Sequence, residues 1–120
     1  MPDEFSILLG QTIIAIAGAE GDDELAFTLS DGRKFKLYHS QDCCEQVYLS
    51  DVEGDLNDLI GAPLLQAEEV SNYEAPAPPG ADSYTWTFYK LATVKGYVTL
   101  RWLGESNGYY SESVYFVELR

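Results

Sequence analysis

The stretch YTWTFYKLATVKGYVTLRW, residues 84–102, decides the fold class. In Tyr84–Tyr89 large rings alternate with threonine. Tyr84, Trp86 and Phe88 share one face, and Thr85, Thr87 and Tyr89 share the other. Successive side chains point to opposite sides only in an extended strand, so period-two alternation predicts β structure. Aromatic and β-branched residues also suit a pleated, half-buried surface. After the link, Val94, Val98, Leu100 and Trp102 fall on one face, with Lys95, Tyr97, Thr99 and Arg101 on the other. Gly104–Gly108 reads as a loop and Ser113–Leu119 as a last strand. Three consecutive strands with short links predict a C-terminal meander.

The pattern continues towards the N-terminus. In LAFTLSDGRKFKL (25–37), Leu25, Phe27 and Leu29 alternate with smaller or polar residues, Asp31-Gly32 follows, and Phe35 and Leu37 alternate with lysines. Asp-Gly between two alternating runs predicts a tight hairpin with positive φ at both turn residues. Thr12–Ala19 reads as a buried strand, and Val47–Leu49 as a short one. Asp55–Gly61 reads as a short helix with Asp55 as N-cap and Gly61 as the stop. Pro63 opens an extended segment from Leu64 to Val70. EAPAPPG (74–80) cannot join a ladder and reads as a surface loop. The expectation is a mainly β chain, α+β at the margin. It is a single domain over 1–120: an antiparallel sheet with an N-terminal hairpin, one short helix and the C-terminal meander.

Composition narrows the function classes. The 120 residues include 20 acidic and 7 basic side chains, a net charge of −13. Binding to nucleic acid through phosphates needs clustered Lys and Arg, so direct nucleic-acid binding is not expected. A partner with a basic surface would instead be attracted. The two cysteines, Cys43 and Cys44, are adjacent, which argues against a disulfide and for a reducing, cytoplasmic setting. No basic leader precedes an apolar run, and no run reaches the roughly 18 residues of a membrane span.

Three constellations are candidates for chemistry. His39-Ser40-Gln41-Asp42-Cys43-Cys44-Glu45 places a thiol, an imidazole and carboxylates together, as a nucleophile with its base or a zinc site would. Zinc motifs space their cysteines further apart, and His39 continues the Phe35/Leu37 face, which suits a hydrogen-bonded histidine at the core edge. The acidic run Asp51–Asp58 fails the calcium-loop pattern, because Gly54 is fourth counting from Asp51 and Ala62 stands twelfth. Neither a metal nor any cofactor is expected. The third set is aromatic: Tyr84, Trp86, Tyr89, Tyr97, Trp102, Tyr109 and Tyr110, near Lys90, Lys95 and Arg101. Rings beside cations can clamp a planar anionic ligand. The binding candidates are therefore His39, Asp42, Glu45, Tyr89, Lys95, Tyr97, Arg101, Tyr109 and Tyr110, with no catalytic residue among them.

The segments YHSQDCCEQVYLSD (38–51), GDLNDLIGAPLLQAEE (54–69) and YTWTFYKLATVKGYVTLRWLGESNGYYSESV (84–114) resemble a family of small uncharacterised proteins of bacteriophages and prophage-carrying bacterial genomes. The resemblance implies expression in a bacterial host and carries over no catalytic residues. The expected function is that of a non-enzymatic accessory protein acting by stoichiometric binding. It would antagonise a host defence factor through an acidic surface or an aromatic ligand pocket. The expected partner is a basic host protein or a small planar ligand, with a homodimer feasible. Sequestration of a nucleotide-like signal by an oligomer, a virion-associated module and a cysteine-dependent enzyme are the alternatives, in that order.

Overall fold

The computed structural model describes residues 4–41, 44–72, 83–108 and 111–119. Among these, eight strands form two antiparallel sheets. They are β1 (Ile13–Ala17), β2 (Glu24–Leu29), β3 (Lys34–Tyr38), β4 (Gln46–Glu53), β5 (Gln66–Asn72), β6 (Ser83–Thr93), β7 (Gly96–Ser106) and β8 (Tyr115–Leu119). The first sheet has the order β1-β2-β3-β8 and the second β4-β7-β6-β5. One apolar cluster draws on both sheets: Leu25, Phe27, Leu29, Phe35 and Leu37 from the first, and Val47, Leu49, Tyr89, Leu91, Val98, Leu100 and Trp102 from the second. The sheets thus pack face to face as a sandwich. Burying each such side chain contributes about 1.5–3 kcal/mol.

The hairpins stand where alternation places them, with local differences. β2 and β3 pair in continuous register, Phe27 opposite Phe35. Their turn has three residues rather than two. The Leu29 N–H donates to the Arg33 carbonyl, and only Gly32 has positive φ, at 92°. Such a turn is type I closed by a left-handed glycine, so Asp31 keeps negative φ. The Asp31 carboxylate accepts the Arg33 N–H at 3.0 Å. That bond, opposed by desolvation and aided by the Arg33 guanidinium, holds the carboxyl below its usual range. In the β6–β7 hairpin Thr93 faces Gly96, so Val94 and Lys95 are the exposed turn and do not continue the strand faces. β7 runs through Gly104 to Ser106, where a loop is expected.

The last strand departs furthest from expectation. β8 leaves the β6–β7 hairpin and pairs with β3, Phe116 opposite Leu37, so the three C-terminal strands are not a meander. A crossing onto the other sheet buries Phe116 against Phe35, with ring centroids at 5.2 Å. β1 differs too: Ile13 is buried and most of the strand is exposed, as befits an edge. The short helix is a single 3-10 turn, Leu56–Leu59, capped by Asp55 accepting the Asn57 N–H. A second 3-10 turn, Glu4–Leu8, has no counterpart in the sequence reading. It drives Phe5 between the sheets against Phe27, Tyr89 and Phe116. The Pro-rich 74–80 segment lies outside the described residues, and no helix among the described residues is long and apolar enough to cross a membrane.

Candidate functional site

Register sorts the second sheet into two faces. Inward lie Val98, Leu100 and Trp102 of β7 with Tyr89 and Leu91 of β6, all buried. Outward lie Tyr97, Thr99 and Arg101, as alternation predicts, joined by Tyr84, Trp86 and Phe88 of β6. Tyr89 is therefore a core residue rather than a surface candidate: it is fully buried, and its hydroxyl donates to Glu69 at 3.2 Å.

Arg101 sits at the centre of the outer face. Its guanidinium lies 5.5 Å from the Trp86 ring centroid and 5.8 Å from that of Phe88. The two rings are nearly parallel, 5° apart at 6.3 Å. Arg101 also donates to Asp51 across the β4–β7 ladder at 3.1 Å. Tyr48 stands opposite Leu103 on β4, and Val70 opposite Phe88 on β5. Register places carboxylates around this centre: Glu53 opposite Thr99, Glu68 opposite Lys90, and Glu105 opposite Tyr84 and Gln46.

Lys95 and Tyr97 lie apart from this centre at the hairpin tip, where the Lys95 amine donates to the Ile60 carbonyl at 2.6 Å. Tyr97 is 78% exposed there, close to exposed Leu65 and Val94.

The His39 cluster is structural in form. The His39 side chain is fully buried, with Nδ1 2.6 Å from the Ser113 carbonyl and Nε2 3.1 Å from Glu45 Oε2. Its ring stacks on Tyr115 at 5.7 Å. A carbonyl accepts only, so Nδ1 carries a proton and donates it to Ser113. His39 thereby ties the end of β3 to the approach of β4 and to the segment entering β8. Cys44 is exposed and its sulfur is held in a disulfide, contrary to the expectation drawn from adjacency. The one other cysteine of the sequence is Cys43. Asp42, Cys43, Tyr109 and Tyr110 lie outside the described residues, and no metal-binding cluster occurs among the described ones.

Glu69 and Glu112, neither among the binding candidates, lie at the mouth of the sandwich. Along the inner face of β6 the side chains turn from Leu91 and Tyr89 to Thr87, Thr85 and Ser83. Together with Glu69 and Ser71 of β5 and residues 112–115 they line a polar cleft of about 460 Å³. Glu112 accepts from Thr85 at 2.8 Å and from Ser106 at 2.6 Å. Partial burial pushes its carboxyl up, but hydrogen bonds from Ser106, Ser83 and Thr85 outweigh this and hold it below its usual range. The signal was the Thr85/Thr87 alternation opposite the rings, which marks a polar inner face as readily as an exposed outer one.

A family profile described as a domain of unknown function (DUF7448) matches residues 6–116. The chain belongs to the DUF7448 family. No curated protein and no solved structure matches it. The match runs from Ser6, in the Phe5-bearing turn, to Phe116 in β8, and so takes in β1–β7 and the start of β8.

Proposed function

We propose that this DUF7448 protein acts by stoichiometric binding of a protein with a basic surface, through the outer face of its second sheet. The observation that carries the reading is the Trp86–Arg101–Phe88 centre with Asp51, Glu53, Glu68 and Glu105 placed around it. Burying such a centre supplies affinity, while the surrounding carboxylates and the net charge of −13 select a cationic partner and speed its encounter. The resemblance noted for segments 38–51, 54–69 and 84–114 adds the setting. The protein is a phage or prophage accessory factor expressed in a bacterial host, and the partner is a host defence factor that it blocks.

Native mass spectrometry of the chain purified from bacterial cells tests this. A basic protein in fixed stoichiometry, released by raising the salt, is the expected result. The double substitution Trp86→Ala with Arg101→Ala should weaken its retention by about thirtyfold or more, the scale of a lost hot spot. Retention unchanged by that substitution, or a bound small molecule in place of a protein, would overturn the reading.

A further inference from the structure

The four sheet edges are not equally protected. β1 is bulged between Ile13 and Ala15, and its outer side is bridged by Ile60 and Pro63, with the Gly61 N–H donating to the Ile13 carbonyl. β4 is bulged between Leu49 and Asp51. The Leu49 N–H donates to the Asp22 carbonyl, and the Leu49 carbonyl accepts from Gly21. β5 has the Glu4–Leu8 turn packed against it. Among the described residues β8 has none of these devices. It pairs with β3 at five successive positions without a register shift, and no described residue pairs with its other side. Its sequence, YFVEL, holds no proline, lysine or arginine. Folds normally blunt a free edge with a bulge, a proline, a lysine or a covering segment, because unpaired backbone groups template further strands.

The two sides of β8 differ in chemistry, and this sets what can dock. Tyr115 and Leu119 are 39% and 38% exposed on the outer side, in line with Val117. At the Tyr115 end the inner side opens onto the polar cleft with Glu69 and Glu112. Arg33 and Lys34 stand at the Leu119 end instead, beside Glu118. An added strand would therefore set apolar side chains along Tyr115, Val117 and Leu119, and a basic side chain over the cleft. A second copy of the chain fits poorly, since it brings another charge of −13.

We infer that the edge of β8, unpaired among the described residues, recruits an extended, basic segment of a partner protein by strand addition, its alternate side chains being read by the β8 outer row and the Glu69/Glu112 cleft. Main-chain pairing supplies affinity and the alternation supplies specificity. This surface is distinct from the outer face of the second sheet and does not depend on it.

The probe is a capped hexapeptide alternating valine and lysine, titrated into the full isotope-labelled chain. The expected result is saturable binding with amide exchange in Tyr115–Leu119 slowed by about tenfold or more. Affinity should fall severalfold between about 20 and 200 mM salt, and a valine–glutamate peptide should not bind. Glu69→Gln and Glu112→Gln should each weaken the lysine peptide by about fivefold, the scale of one exposed ion pair. Reading Glu69→Gln as well keeps the test decisive if loss of the Glu112 charge disturbs the fold. Protection appearing on β5 instead, no protection anywhere, equal binding of both peptides, or protection of β8 by self-association of the chain alone would each overturn the inference. Trp86→Ala should leave this peptide's binding unchanged, so failure here and failure of the outer-face reading are separable.

Discussion

Glu112 shows how one side chain can close the end of a sandwich. Its carboxylate gathers the hydroxyls of Thr85, Ser106 and Ser83, from both long strands of the second sheet. Hydrogen bonds to a charged acceptor are the stronger kind, so Glu112→Ala should cost on the order of 2–3 kcal/mol, readable as a lower urea midpoint. The acid response has a definite sign. The native carboxyl sits below the ordinary value of 4.5, so its contribution is complete above that pH. It is lost as the pH falls through the depressed native value. The wild-type protein should therefore lose stability more steeply below about pH 4 than Glu112→Gln, which has no proton to take up there. Equal acid slopes for the two proteins would refute the role given to this group.

At the scale of elements, the decisive contact lies between β7 and the segment entering β8. A Cβ on Gly104 would lie 2.5 Å from the Glu112 carbonyl oxygen and 2.8 Å from the Glu112 Cβ. Neither neighbour can rotate away, so Gly104→Ala must shift backbone and should cost about 1–3 kcal/mol. Gly32→Ala is the useful contrast. Its Cβ would meet nothing within 4 Å, and its cost is the left-handed φ of 92° alone, about 1 kcal/mol. Urea unfolding of both variants checks the order, and a milder Gly104→Ala would sink the argument. This contact also explains what was legible in the sequence. Alternation located the strands from Leu25 to Leu37 and from Tyr84 to Trp102, because period two is a local property. The destination of β8 is not local: it depends on Phe116 finding Phe35 and Phe5, and on a bare Gly104 admitting the chain. Nor could alternation say which face of β6 is inner. Trp86 and Phe88 are larger and more apolar than Thr87, yet Thr87 is buried because Tyr89 and Leu91 share its side. Of the candidate residues, Tyr97 and Arg101 were placed correctly on the outer face by period alone. Lys95 was misplaced because Val94 and Lys95 form the turn between Thr93 and Gly96, and the role of Glu112 was invisible because Ser83 and Thr85 reach it from a strand distant in sequence.

For the whole molecule the governing quantity is charge held in a small volume. A net −13 lies within a radius of gyration of 14.3 Å, and the Arg33–Asp31, Lys36–Glu24 and Arg101–Asp51 pairs neutralise little of it. All three pairs are at least partly exposed, and such pairs contribute about 0–1 kcal/mol each. They do not offset the mutual repulsion of the remaining carboxylates. Raising sodium chloride from about 10 to 150 mM shortens the screening length from about 30 to 8 Å, well inside the molecule's dimensions. The melting temperature should therefore rise with salt by several degrees, most of it before 150 mM. Docking of a basic partner must respond with the opposite sign, since the field that strains the fold is the field that attracts the partner. Thermal melts and binding titrations across one salt series measure both. A melting temperature that falls with salt would mean that attractive pairs, rather than like-charge repulsion, dominate the native surface, and the electrostatic basis for choosing a basic partner would go with it.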